Sequence, residues 1–239
     1  MTNPLTVAAA QPAYADLDVD TSVQRHARLV RAARAQLVVF PELSLTGYVM
    51  TAPVVRPDDP RLAPLVSACR DTGAVALVGA PVADLDGAES IAVLAVNGEG
   101  VTVAYRKIWL HGDAETSRFT PGGAPVAVEV GGWRLGLAVC ADVGVPEHAR
   151  VTAGLGIDAY VASSLYRDSA EALRRRDTHL AERAKAYGVW GIMATGAGPT
   201  GEFGPGSGGS GIWAPDGSMV VQAGRTPGEM VRAILDPVR

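Results

Sequence analysis

Two spacings of apolar residues alternate along the chain. Unbroken apolar runs such as "LTVAAAQ" (5–11) and "AQLVVF" (35–40) suit strands buried on both faces. Between them Val23, Ala27, Val30 and Ala33 fall at helical spacing within residues 18–35, with Asp20 or Thr21 as the expected cap. The chain thus opens strand–helix–strand. Residues 59–73 predict a second helix closed by Gly73, and "AVALVGA" (74–80) follows as a strand. Tight glycine turns join "SIAVLAVN" (90–97) to "VTVAYRK" (101–107), and "PVAVEV" (125–130) to "WRLGLAVC" (133–140), as hairpins. A helix over 145–156, a strand over 157–163, the longest helix over 169–188 and a strand over 189–195 come next. Strands over 210–215 and 218–224 meet at Asp216-Gly217, and "EMVRAIL" (229–235) closes the pattern.

Interleaved helices and strands, with several strands arriving in hairpins, imply an α/β fold with mixed sheets and not a purely parallel one. No Pro/Gly linker separates two self-sufficient halves, so residues 1–239 read as one domain without internal repeats. The glycine-rich stretch 196–211 contains Gly196-x-Gly198-x-x-Gly201 directly after a strand. A dinucleotide site needs a helix next, and Pro205 with further glycines stands in its place. The stretch reads as a flexible or tightly turning surface loop that can edge a pocket, and no cofactor is expected.

Composition narrows the classes. Apolar residues make up 48% of the 239, enough for a large core. The net charge is −4, and no basic cluster exceeds Arg174–Arg176, which argues against a nucleic-acid partner. No apolar run approaches the ~18 residues of a membrane span. The first residues lack a basic leader region and read as a strand. Two cysteines, Cys69 and Cys140, make no disulfide framework and fit a cytoplasmic location. Neither HExxH nor CxxC occurs, so no metal site is expected.

Cys69 sits within a helix among apolar neighbours and reads as a buried, inert thiol. Cys140 ends an apolar strand just before a turn, where backbone N–H groups can lower a thiol pKa and bind an oxyanion. Its base is less obvious. Of four histidines, His26 and His179 fall on helices as surface or boundary residues, and His148 lies on the helix after Cys140. His111 is the best-placed histidine, yet its spacing is not diagnostic. Glu42 follows "LVVFP" and Lys107 follows "VTVAYR", so three reactive residue types each leave an apolar strand. Singly each has a bland reading as a solvated strand end. Jointly they can converge at one sheet edge.

"LVVFPELSLTGY", "YRKIWLHGDAETSRFTPG" and "GLAVCADVGVPEHAR", in that order, resemble the glutamate, lysine and cysteine motifs of the carbon–nitrogen hydrolase (nitrilase) superfamily. "HLAERAKAYGVW" and "GGSGIWAPDGSMVVQAG" extend the likeness over nearly the whole chain. The resemblance implies a four-layer α-β-β-α sandwich with two mixed sheets, assembled as a homodimer or higher homo-oligomer. It implies Glu42 as general base, Cys140 as nucleophile, and Lys107 with the Ala141 N–H as oxyanion donors. Glu115 matches a second glutamate that helps position substrate or water. Tyr48, Trp109 and Tyr166, with Phe119 and Arg167, are candidate pocket residues.

Ala141-Asp142 stands where nitrilases proper carry Trp-Glu, so the resemblance favours an amide over a nitrile and leaves side-chain space at 141 open. Ala186, Tyr187 and Thr195 replace the family's usual Glu, Asn and Asn. The implied function is release of ammonia from a small linear amide or carbamoyl compound through a thioester. The alternatives are acyl transfer or condensation from that thioester, and a non-catalytic binding protein on the same fold.

Overall fold

The computed structural model describes residues 2–238. Its first half is strand β1 (Leu5–Ala10), helix α1 (Val19–Ala33), β2 (Leu37–Val39), α2 (Ala63–Thr72), β3 (Val75–Ala83), β4 (Glu89–Val96) and β5 (Val101–Arg106). A short α3 (Gly112–Thr116) leads to β6 (Ala127–Val130), β7 (Trp133–Val139), α4 (Ala141–Gly144), α5 (Pro146–Gly154), β8 (Ala159–Ser164) and α6 (Ala170–Tyr187). The remainder is β9 (Trp190–Thr195), β10 (Ala197–Thr200), β11 (Gly204–Ser207), β12 (Gly211–Trp213), β13 (Met219–Gln222) and β14 (Met230–Leu235).

The strands form two six-stranded mixed sheets in the orders β14-β1-β2-β3-β4-β5 and β13-β12-β9-β8-β7-β6. Each has a parallel centre, β1-β2-β3 in one and β7-β8-β9 in the other, flanked by antiparallel strands. Strand alternation explains the layers. Val7, Ala9, Leu37 and Val39 share one core with Leu135, Leu137, Val139 and Val161 of the other sheet. Their neighbours Ala8, Ala10 and Val38 pack with Val23, Ala27, Val30 and Leu65 of α1 and α2. Ala138, Tyr160 and Ala162 pack likewise with Ala149 of α5 and Leu180 of α6. The result is the expected α-β-β-α sandwich, and its unbroken apolar strands are those buried on both faces. Each fully buried Leu or Val contributes roughly 1.5–3 kcal/mol. Among the described residues no helix is long and apolar enough to cross a membrane.

Several local expectations change. Helix α1 is capped by Asp18, whose carboxylate accepts from Thr21 N at 2.9 Å, two or three residues earlier than Asp20 or Thr21. The glycine-rich stretch is the tightly turning one of the two expected loops, the β10–β11 hairpin, and Phe203 edges the cavity beside Cys140; residues 206–211 are buried and not at the surface. Its glycines allow close approach: a Cβ on Gly201 would lie 2.0 Å from Tyr48 O, and one on Gly209 2.4 Å from Arg176 Nη1. His26 is 1% exposed and not a surface residue. Its Nδ1 lies 2.6 Å from Ser22 O, so it carries the proton, and Nε2 accepts from Ser44 Oγ at 2.9 Å. Ser44 Oγ in turn accepts from Gly79 N.

Burial holds His26 at a pKa of about 4, below its ordinary 6.5, so it is neutral in the folded protein. Between those values the unfolded chain binds the extra proton, and His26's contribution to stability rises with pH. We expect the unfolding free energy of wild type minus that of His26→Gln to grow by on the order of 3 kcal/mol from pH 4 to 7, measured by urea denaturation. A pH-independent difference would refute the buried neutral imidazole.

Candidate active site

Three strand exits meet at one end of the sandwich. Glu42 leaves β2 after Phe40 and Pro41, in a loop where Leu43 adopts φ 50°. That loop lies flat on β3 because residue 79 is glycine; a Cβ there would sit 2.3 Å from Leu43 N and 2.5 Å from Pro41 O. Lys107 directly follows β5, its N–H donating to Ile91 O at 2.8 Å. Glu115 comes from α3, which the sequence pattern did not predict. Cys140 terminates β7 at φ 47°, ψ −99°, a conformation that costs a non-glycine residue ~1–3 kcal/mol. Its N–H donates to Ser163 O of the parallel neighbour β8 at 3.0 Å.

Glu42, Lys107 and Glu115 are each at most 1% exposed. The Lys107 ammonium bridges them, 2.6 Å from Glu42 Oε1 and 2.7 Å from Glu115 Oε2. The two carboxylates differ in what else they hold. Glu115 also accepts from Tyr48 Oη at 2.7 Å and His111 N at 2.8 Å, so both its oxygens are fully engaged. Glu42 Oε2 is buried and, among the described residues, has no hydrogen-bond partner.

Electrostatics follows from that arrangement. Burial raises Glu42 from 4.5 to about 7; Lys107 opposes the rise and Glu115 adds to it. Burial alone would lower Lys107, but the charges of Glu42, Cys140 and Glu115 outweigh it and hold the ammonium well above its ordinary range. The Cys140 thiol is pushed well above its ordinary value by burial and by Glu42, against a smaller pull from Lys107. The group is therefore a neutral thiol beside a basic carboxylate and a permanent cation.

Cys140 and Ala141 open onto a cavity of about 400 Å³. Tyr166, Arg167 and Phe203 line it; Tyr48 stands behind, its ring edge-on to Phe203. Trp109 does not line it: its indole packs edge-on against His148. Phe119 belongs to the central core. His111 borders the cavity, and its backbone holds Glu115. Ala186 is exposed near the end of α6, while the carboxylate partners of Lys107 come from β2 and α3.

The carbon–nitrogen hydrolase model matches residues 6–239. The chain belongs to the carbon–nitrogen hydrolase family. An (R)-stereoselective amidase of Pseudomonas sp is 29% identical over 198 residues, 81% of this chain and 71% of the amidase. A Pseudomonas protegens hydrolase from the pqqF 5′ region is 33% identical over 150 residues; the match spans 59% of this chain and about half, 53%, of that protein. A cysteine-to-alanine variant of the Nesterenkonia AN1 amidase from the nitrilase superfamily superposes with TM-score 0.85 at 26% identity, over 97% of this chain and 90% of that one. Other solved forms of that amidase hold butyramide, or carry the acetamide moiety of fluoroacetamide on the active-site cysteine.

In this member of the family one buried carboxylate ties the lysine and cysteine segments together. Asp142 Oδ1 accepts from Ile108 N at 3.3 Å and Trp109 N at 2.8 Å, just past Lys107. Asp142 Oδ2 accepts from Val139 N at 2.9 Å, just before Cys140, and from Tyr105 Oη at 2.7 Å. Tyr105 Oη then meets His148 Nε2 at 3.0 Å, and His148 Nδ1 meets Tyr160 Oη at 2.7 Å. Sequence spacing gave no sign of this network; only the acidic residue two places after Cys140 hinted at it. Asp142→Asn replaces one acceptor oxygen with a donor and orphans at least one buried backbone N–H. We expect about 1–3 kcal/mol lower unfolding free energy in chemical denaturation.

Proposed function

We propose that the protein is a cysteine amidohydrolase that cleaves the C–N bond of a small linear amide or carbamoyl compound to ammonia and a carboxylate. The observation that carries this reading is a buried carboxylate with a free acceptor atom: among the described residues Glu42 Oε2 has no partner, while Oε1 is fixed by Lys107. The solved Nesterenkonia amidase forms, one with butyramide bound and one with the acetamide moiety of fluoroacetamide on the active-site cysteine, support the substrate class and the nucleophile by likeness.

The steps follow from the proton inventory. The thiol is neutral at rest, so the nucleophile forms only as Glu42 takes its proton. Cys140 Sγ attacks the carbonyl carbon, and the electron pair of the C=O bond moves to oxygen. Lys107 and the Ala141 N–H, which begins α4 and lacks an intrahelical partner, meet the developing oxyanion. As the intermediate collapses, Glu42 returns its proton to the leaving nitrogen, ammonia departs and a thioester remains. Water gives one proton to Glu42 and attacks the thioester; the C–S bond breaks, Glu42 returns its proton to the Cys140 sulfur, and the product acid leaves, losing its own proton to ammonia or solvent. Glu115, saturated by its donors, holds Lys107 and Tyr48 in place.

Cys140→Ala should lower ammonia release from short-chain amides by roughly 10³-fold or more, and mass spectrometry should find the acyl adduct on Cys140 and not on Cys69. Wild-type rates in that variant would remove Cys140 from the chemistry. Glu42 must be ionised to act. Activity should therefore fall as pH drops through about 7, in a titration that belongs to the coupled cluster. Glu42→Gln should abolish turnover across the whole pH range.

A further inference from the structure

The cavity that opens on Cys140 also receives a guanidinium with no carboxylate of its own. Arg167 lines it together with Tyr166 and Phe203. Its position is fixed on several sides. Tyr166 O accepts from Ser207 N at 2.8 Å, and Arg167 bridges to Gly206, so the backbone is pinned to the β10–β11 hairpin. The guanidinium donates through Nη1 to Phe203 O at 2.7 Å and stacks 4.8 Å from the Phe203 ring centroid. Only one of its five N–H donors is accounted for by these contacts.

The carboxylates nearest in sequence are already taken. Asp168 pairs with Arg225, and Glu171, which borders the same cavity, pairs with Arg175. Among the described residues Arg167 forms no ion pair. The cavity wall therefore carries two guanidinium groups against one carboxylate, and the excess positive charge sits on the one that is preorganised. An aromatic-stacked, partly hydrogen-bonded arginine suits the planar, bidentate recognition of a carboxylate. The opposite case is disfavoured: an amide with a distal ammonium group would place like charges together.

We propose that Arg167 binds a carboxylate at the far end of the substrate, so that the preferred substrates are monoamides of short dicarboxylic acids, with the amide at Cys140 and the acid at Arg167. This rests on the amidohydrolase reading above. The small side chains of Ala141 and Ala172, which also line the cavity, leave room for the chain between the two ends.

The test compares three amides of equal length on the wild-type enzyme: the monoamide of glutaric acid, valeramide and δ-aminovaleramide. Ammonia release should give the acidic monoamide a kcat/KM roughly tenfold or more above valeramide, with the amino compound poorest. Arg167→Gln should reduce that preference by about the same factor, chiefly through KM for the acidic substrate. Arg167→Glu should invert the order of the acidic and amino compounds. Turnover of all three without charge preference, or an equal loss on acidic and neutral amides in Arg167→Gln, overturns the assignment and leaves the amidohydrolase reading standing. No turnover of any of them, with wild type equal to Cys140→Ala, overturns both. The wild-type comparison decides the matter even where a variant fails to fold.

Discussion

A lysine ammonium sealed between two carboxylates is the constraint on which the rest of this architecture turns. Lys107, Glu42 and Glu115 are each at most 1% exposed, so their charges are balanced chiefly by one another. Breaking such a cluster by removing one member leaves a buried charge uncompensated. The cluster stands only if three separate chain segments arrive within hydrogen-bond distance, and the sandwich supplies that convergence. Glu42 leaves the parallel centre of one sheet and Cys140 that of the other. Lys107 leaves the edge strand β5 beside the second sheet, where Asp142 clamps its loop to the cysteine turn.

Several departures from ideal backbone geometry serve that convergence. The left-handed conformations at Leu43 and Cys140 fall directly beside Glu42 and at the thiol itself. Both are held by ordinary structure: Leu45 N donates to Gly79 O at 3.0 Å beneath the first, and Cys140 N to Ser163 O beneath the second. Strain of this kind persists only where the surroundings over-determine it. The glycine hairpin does the same for the cavity wall, since Gly201 and Gly209 let the chain pass within contact of Tyr48 and Arg176.

How much of this was legible in the sequence depended on the range of the interaction. Strands buried on both faces announce themselves as unbroken apolar runs, and a polar residue that ends such a run is conspicuous; Glu42, Lys107 and Cys140 were found that way. Their union was not visible from spacing, because residues 42, 107 and 140 come together only through sheet order, and the family motifs supplied that link. Asp142 shows its residue type in the sequence but not its partners, since all but Val139 lie more than thirty residues away in β5 and its exit. Composition could not choose between the two loops expected at residues 196–211, since glycine chosen for close approach and glycine chosen for flexibility look alike in a sequence. His26 was misplaced for a related reason: helical spacing gives a face, but not the depth at which that face meets the glutamate loop.

Two titratable groups of this glutamate loop and its support pull stability in opposite directions. Glu42 has a folded pKa near 7 against 4.5 ordinarily, so the folded protein binds more protons than the unfolded chain between those values. Its contribution to stability therefore falls as pH rises through that window. His26 has a folded pKa near 4 against 6.5, so its contribution rises as pH rises through nearly the same window. The shifts are similar in size and opposite in sign. A carboxylate raised toward neutrality is a costly resident, because the ionised form that the proposed chemistry requires is the form that burial disfavours. His26, linked through Ser44 to the backbone beneath the same loop, therefore flattens the summed pH dependence: its penalty for staying neutral is lost as the penalty for an ionised Glu42 grows.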